Sequence, residues 1–259
     1  MPTPFKVVIL CEKPNQARTF ASAYKLNQTK IIDKNRVAYY DREGGMCSVH
    51  LSGHLLELMP PQYYVPSLDK TKKGWNLDDL PVIPGGSRWK LQPKYNSSAK
   101  ERTRIKSLLA GIKWAMIDVG SPGEIAIAVD NDREGELLGW ETLEFYGLTK
   151  HKNITRLMYS QVNEKTLIEA FDRRGPGSEW FTRYLAGLAR SYADWLIGMN
   201  VTMAMSVDNK LMIPPFTTLN SGRVVYAICY ILYVRSMSIK NYKPVDYYSE
   251  VVTFKTSSD

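Results

Sequence analysis

The chain has 259 residues, 44% hydrophobic and 23% charged, enough to bury one large core or two smaller ones. That balance excludes a disordered chain or a fibre, and no apolar run reaches the roughly 18 residues that would cross a bilayer. With 34 Lys and Arg against 26 Asp and Glu, the net charge of +8 favours a polyanionic partner. The opening residues, Met1 to Lys6, lead straight into a short apolar run and lack the core of a signal peptide. Cys11, Cys47 and Cys229, odd in number and far apart, point to reduced thiols in a cytosolic protein, and no Cys or His spacing resembles a zinc site.

In chain order, Lys6–Cys11 is a continuous apolar run and reads as a strand buried on both faces of a parallel sheet. Pro14 suits the first turn of a helix over Asn15–Tyr24. Val37–Tyr40 and Cys47–Leu51 read as strands on either side of a Gly44-Gly45 turn. Residues 59–96, with repeated prolines and Gly85-Gly86, show no sustained period and read as a long irregular excursion. A helix follows from Ser97 to about Ile117, with Ile105, Leu108, Leu109, Ile112 and Met116 at helical spacing. Glu124–Asp130 is a second buried strand, followed by a helix over Glu134–Tyr146 closed by Gly147. Ile154–Ser160 reads as a strand and Asn163–Phe171 as a helix. Beyond Arg174–Ser178, long helices are expected over Glu179–Met205 and Ser221–Ser238, joined by a Pro214-Pro215 loop. Tyr247–Thr256 alternates like the start of a strand. The strand–helix alternation gives an α/β layer, followed by a mainly α-helical module. The expected divisions are 1–155, with an insertion within 59–96, then 156–242 and 243–259; Ile154–Phe171 suits either of the first two.

Asp130-Asn131-Asp132-Arg133-Glu134-Gly135-Glu136 lies where a buried strand meets a helix, the place at which open α/β sheets bind ligands. Asp130 and Asp132, two apart in extended backbone, project to one side, and Glu134 reaches the same space from the first helical turn. Such close carboxylates repel unless a cation neutralises them, and hard oxygen ligands suit Mg2+ or Mn2+. The other reading is a helix N-terminus enriched in acids for capping and dipole reasons. Glu12 ends the other apolar strand, so both strand ends can open on one crevice, where a carboxylate completes a metal site or moves a proton. Lys13 offers charge to a phosphate or oxyanion. The stretch from Arg88 to Lys113 holds Lys90, Lys94, Lys100, Arg102, Arg104 and Lys106 against one acid, Glu101; it reads as a phosphate track or as a solvated basic helix face. Trp89, Trp114, Trp140, Trp180 and Trp195 suit base stacking or core packing.

Val8–Arg18, around Glu12-Lys13-Pro14, together with Ala128–Gly139, resembles the Toprim domain of type IA DNA topoisomerases, more in its topoisomerase III form. Further motifs follow in the family's order. Gly53-His54-Leu55-Leu56-Glu57-Leu58 is similar to its glycine–histidine loop, and Arg156–Phe171 to its strand–helix element. Ala186–Gly198 matches its spacing of Arg190, Asp194 and Gly198. Leu219–Val224 is similar to its Ser-x-Gly-Arg-Val-Gln element, with Val225 in place of Gln.

The resemblance implies a Toprim-type, mostly parallel sheet flanked by helices. It also implies an enzyme that cuts one DNA strand through a tyrosine, passes another strand and reseals the break. Glu12 would hold or give a proton at the scissile phosphate and share the metal with Asp130, Asp132 and Glu134. Lys13 would stabilise charge on the phosphate. His54, Arg156, Tyr159, Ser160, Asn163, Arg190, Asp194, Ser221, Gly222 and Arg223 would contact DNA, the last three at a helix N-terminus suited to phosphate. Arg190 and Asp194 equally suit an ordinary i,i+4 pair. The implied partner is single-stranded DNA, the cofactor Mg2+ with Mn2+ as substitute, the state monomeric, and the location the cytoplasm, at the nucleoid. None of the 16 tyrosines sits in the setting the family's nucleophile needs, so the chain is expected to be an N-terminal fragment that binds but does not cleave. The alternatives are another Toprim enzyme, nuclease or primase-like, and a non-catalytic nucleic-acid-binding module. A dinucleotide or P-loop reading is disfavoured, because neither glycine pattern follows the first strand.

Overall fold

The computed structural model describes residues 3–68, 75–85, 89–94, 98–208 and 218–255; Gly86, Arg88, Ser97, the Pro214-Pro215 loop and Thr256 lie outside them. The strands are β1 (Val7–Cys11), β2 (Gln28–Ile32), β3 (Asn35–Asp41), β4 (Met46–His50), β5 (Leu56–Leu58), β6 (Leu91–Pro93), β7 (Glu124–Ala128), β8 (Ile154–Arg156) and β9 (Gly175–Pro176). The helices are α1 (Pro14–Ala23), α2 (Pro61–Tyr64), α3 (Ala99–Lys113), α4 (Arg133–Phe145), α5 (Glu164–Asp172), α6 (Phe181–Asp208) and α7 (Arg223–Lys240).

Seven strands form one sheet in the order β2-β3-β4-β1-β7-β8-β9. The four central strands are parallel, with β1 between β4 and β7, and the outer strands run antiparallel. Both apolar runs expected to be buried on two faces therefore lie side by side at the centre, Val7 opposite Glu124 and Cys11 opposite Ala128. Their side chains alternate between two cores. Val8, Leu10, Ile125 and Ile127 pack with α3 and α4 on one face. Ile9, Cys11, Ala126 and Ala128 pack with α1 and α5 on the other. This is the α/β layer expected from the sequence, and full burial of both faces explains its lack of polar alternation.

α4 lies tight against the sheet and against α6. A Cβ on Gly139 would come within 2.9 Å of Ile127, and one on Gly187 within 3.0 Å of the Arg133 carbonyl. Those small residues bring the first helical turn of α4 close to the long helix α6.

Ile154–Phe171 belongs to the sheet unit, since β8 pairs with β7 and α5 packs on α1. The strand expected over Ile154–Ser160 ends at Arg156. The irregular excursion holds more than was expected of it. Its strand β6 pairs with β5 just before it, and it packs Leu68 and Val82 against Trp195 and Met203 of α6, with Trp89 stacked on Tyr192 at 4.1 Å. The tryptophans mostly serve packing: Trp140 and Trp195 are buried, and Trp114 meets Phe5 and Tyr40 edge-on.

α7 has no buried residue, although Tyr230, Ile231, Leu232 and Tyr233 are each at least 60% exposed apolar groups on successive positions. No strand forms over residues 242–255, unlike the alternation read at Tyr247–Thr256, and no described strand lies beside them to offer backbone partners. None of the described helices is long and apolar enough to cross a membrane.

Candidate functional site

The loops after β1, β4 and β7 meet at the carboxyl edge of the sheet. The Leu51 N–H donates to the Cys11 carbonyl at 2.9 Å and the Ser52 N–H to the Glu12 carbonyl at 2.6 Å, so the parallel pairing carries on beyond the strands. Ser52 and Gly53 then take positive φ values of 73° and 82°, which turns the chain and presents His54.

Glu12 and Asp130, 118 residues apart, are joined directly: the Asp130 N–H donates to Glu12 Oε2 at 3.1 Å. Lys13 Nζ hydrogen-bonds Asp130 Oδ2 and lies 3.6 Å from Glu12 Oε1. Its pKa is raised, first by the hydrogen bond to Asp130 and further by the charges of Glu12 and Asp130, so it stays an ammonium ion. Gln16 Nε2 donates to the other Asp130 oxygen at 2.7 Å, while its Oε1 accepts from the Lys13 N–H at 2.8 Å. Gln16 is buried and was not singled out from the sequence. Its signal was its place three residues into a helix, where a side-chain amide reaches back to the cap.

Asp132 caps α4, accepting from the Gly135 N–H at 2.7 Å. The capping reading of the acidic run is thus realised at this residue, which keeps its second oxygen for other partners. Gly135 is sterically required, since a Cβ there would lie 2.4 Å from the Asp130 carbonyl oxygen. Glu134 lies 3.5 Å from His54 and 3.5 Å from Arg190. Among the described residues, no three His, Cys, Asp or Glu side chains converge into a ready cation cage.

Arg156 corrects an expectation. It is 1% exposed, so it makes no surface contact with a phosphate. Its guanidinium donates to Glu136 Oε1 at 2.6 Å, to the Asp130 carbonyl at 2.9 Å and to the Leu157 carbonyl. It fixes the strand–helix junction from beneath, which a sequence pattern cannot distinguish from an exposed base.

The Tyr159 hydroxyl donates to the Ala128 carbonyl at 2.7 Å, and burial raises its pKa, so it is no ready nucleophile. Asn163 caps α5 by accepting from the Thr166 N–H at 2.9 Å. Ser160 is exposed beside them, at the rim of a cavity of about 430 Å³.

On the helical side, Asp194 is held by Arg223 and lies 3.8 Å from Arg190, the i,i+4 pairing read from the sequence. A cavity of about 470 Å³ opens there, lined by Asp194, Ser221, Gly222 and Arg223 at the N-terminus of α7. The Ser221 hydroxyl is buried and has no hydrogen-bond partner among the described residues, and a Cβ on Gly222 would meet nothing within 4 Å. Glu134, Arg190, Asp194 and Arg223 thus form a string of charges from the acidic edge to α7.

A mostly parallel sheet with a strand-end glutamate and an acidic run at the adjacent strand–helix junction defines a Toprim domain. Residues 7–162 match the Toprim domain family, and the chain belongs to it. Residues 178–259 match the family described as DNA topoisomerase. Among curated relatives, the putative DNA topoisomerase 3 of Staphylococcus aureus strain bovine RF122 / ET3-1 is 31% identical over 250 residues, covering 96% of this chain and 31% of the relative. The DNA topoisomerase 3 of S. aureus strain MRSA252 gives the same figures, 31% identity over 96% of this chain and 31% of its own length. Among solved structures, full-length topoisomerase I from Thermotoga maritima superposes with a TM-score of 0.50 at 20% identity, over 91% of this chain and 31% of that one, a likeness of fold. The chain thus spans about a third of the length of the relatives it matches.

Proposed function

We propose that this chain supplies the phosphodiester-handling part of a type IA DNA topoisomerase, with Glu12, Lys13, Asp130, Asp132 and Glu134 at its centre and single-stranded DNA as its partner. The observation that carries the reading is the direct Glu12–Asp130 link across two central parallel strands, with the Lys13 ammonium beside both carboxylates.

The donor set fits a hard divalent cation: Asp130 and Asp132 would hold Mg2+, with Mn2+ as substitute, and Glu12 and Glu134 would border it. When bound, such a cation neutralises the carboxylates and seats a phosphate oxygen. Lys13 now lies beside the same carboxylates and supplies part of that neutralisation. In this reading Glu12 holds or gives a proton at the reacting phosphate oxygen, and Lys13 stabilises the charge that develops there. Gln16 and the Arg156–Glu136 pair keep Asp130 in place. His54, Ser160, Asn163 and Arg190 border the approach, while the Ser221–Arg223 turn seats a further phosphate on the α7 N-terminus. The nucleophilic tyrosine comes from outside these residues. The protein acts as a monomer in the cytoplasm, at the nucleoid.

The test is fluorescence anisotropy with a single-stranded oligonucleotide, alongside calorimetric titration with Mg2+. The expected outcome is binding of both, with metal-dependent heat lost in Asp130→Asn/Asp132→Asn and no relaxation of supercoiled plasmid by the chain alone. A covalent tyrosyl adduct formed by this chain would refute the missing nucleophile, and nicking without such an adduct would identify a Toprim nuclease. The Lys13–Asp130 bond and the capping role of Asp132 favour one second reading, a nucleic-acid-binding module without metal; DNA binding with no heat from Mg2+ would establish it.

A further inference from the structure

Away from the acidic site, two arginines share one neutral partner. On β3, Arg36 donates to the Tyr39 hydroxyl at 3.4 Å, and its guanidinium lies 5.6 Å from that ring. From α1, Arg18 comes near enough to act on the same hydroxyl. Neither arginine has a carboxylate within ion-pair range among the described residues. Two guanidinium ions brought to one uncharged oxygen repel each other, and both side chains are exposed, so their remaining donors face solvent and are open to an anion. Arg104 adds a third positive charge nearby, acting with Arg18 on His50, though it is itself paired with Glu101.

The backbone holds this pair in place. His50 is 6% exposed and its Nε2 lies 3.2 Å from the Arg36 carbonyl, which pins the start of β3 to the end of β4. Ala38 pairs with Val49, so Arg36 lies beside the residues just after β4. Those residues, Leu51 and Ser52, are bonded in turn to the carbonyls of Cys11 and Glu12. The arginine pair and Glu12 therefore occupy one continuous rim, two strand spacings or about 10 Å apart.

We propose that Arg18, Arg36 and the Tyr39 hydroxyl form an anion site for one phosphate group, and that its source is a nucleic-acid strand running along the rim beyond the acidic site. A phosphate supplies the acceptors and the negative charge the two guanidiniums lack, in the geometry their planar forks favour. The arginines also bear on the tyrosine. Burial raises its pKa, but Arg36 and Arg18 outweigh that and leave it lowered. The proposal rests on the nucleic-acid reading above for the source of the phosphate, while the anion site itself does not.

The test compares the whole chain with its Arg18→Gln/Arg36→Gln variant, using single-stranded oligonucleotides of six and twenty residues at several salt concentrations. The expected result is about tenfold weaker binding of the twenty-mer, with the slope of log affinity against log salt reduced by about 0.7. Six-mers held at the acidic site are expected to bind unchanged. Equal affinity and slope for the twenty-mer in a variant with unchanged melting temperature would overturn the proposal, as would equal loss for both lengths. If the unsubstituted chain binds no oligonucleotide, the functional reading fails first, and inorganic phosphate then decides the anion site. Thermal stabilisation by phosphate that disappears in the variant supports the site with a small anion as its source, and no stabilisation removes it.

Discussion

Arg156 and Glu136 form an ion pair that water does not reach: their side chains are 1% and 0% exposed, with Nε and Oε1 2.6 Å apart. The pair sits directly beneath the Asp130 carbonyl, to which Arg156 also donates. Removing one partner strands the other charge in the core. Arg156→Met is expected to cost about 3–5 kcal/mol, measured as a drop in the urea midpoint at unchanged slope. Glu136→Gln keeps a carbonyl acceptor and is expected to cost less. If Arg156→Met unfolds at the same denaturant concentration as the parent, the pair plays no such part.

Gly135 offers a sharper probe of the acidic loop. A methyl group there would lie 2.4 Å from the Asp130 carbonyl oxygen, which is backbone and cannot swing aside. Gly135→Ala is expected to lower stability by about 1–3 kcal/mol and to displace Asp130 from Lys13 and Gln16. The control is Gly147→Ala, where nothing lies within 4 Å and any cost comes from its positive φ alone. The two variants should separate in Mg2+ titration: the first weakens metal binding, the second leaves it intact.

Gln16 is the predicted orienting group for Asp130. Gln16→Ala frees one carboxylate oxygen and one backbone donor without touching a proposed ligand. Loss of such an outer partner is expected to weaken divalent-cation affinity by about 10- to 100-fold. Calorimetry that returns the parent affinity would remove Gln16 from the site.

Glu141 carries a pH signature within the range where the protein is handled. It is 5% exposed, and burial, reinforced by Glu144 and Glu134, pushes its pKa up to about 8. Its folded pKa therefore exceeds its unfolded one, so the stability this group allows is complete below the unfolded value. That stability is lost as pH rises from about 4.5 toward 8. Each pKa unit corresponds to about 1.4 kcal/mol, so the loss reaches several kcal/mol at its upper limit. Melting curves between pH 5 and pH 9 should fall more steeply for the parent than for Glu141→Gln. Parallel profiles would show that the carboxyl is solvated.

How far this architecture can be read from the sequence depends on the reach of each interaction. β1 and β7 were legible because a strand buried on both faces leaves an unbroken apolar run, and their joint edge followed from a parallel sheet. Glu12 and Asp130 could thus be placed together across 118 residues. β2 was not legible: Gln28, Thr29 and Lys30 make a polar strand on the outside of the sheet, indistinguishable from a loop by pattern. Arg156 was read as a surface base because its partner Glu136 lies 20 residues back on another element. The excursion over 59–96 showed no period because its order comes from α6: Asn200 Oδ1 accepts from the Val82 N–H at 2.6 Å, and its amide donates to the Val82 carbonyl at 3.0 Å. Local propensity carries no trace of such a pairing.

The bare surface of α7 has a consequence for how the molecule comes apart. A helix with no buried side chain draws little support from the rest of the chain and must stand on its own 18 residues, near the lower limit at which isolated helices persist in water. Its amides should exchange with solvent deuterium at close to the rate of a short free peptide, while those of β1 and β7 wait for global opening. The phosphate seat at its N-terminus is then half built, its Ser221–Arg223 turn anchored to α6 and its dipole only as durable as the helix behind it. Whatever covers Tyr230 to Tyr233 would also, from two turns away, set how firmly that end holds an anion.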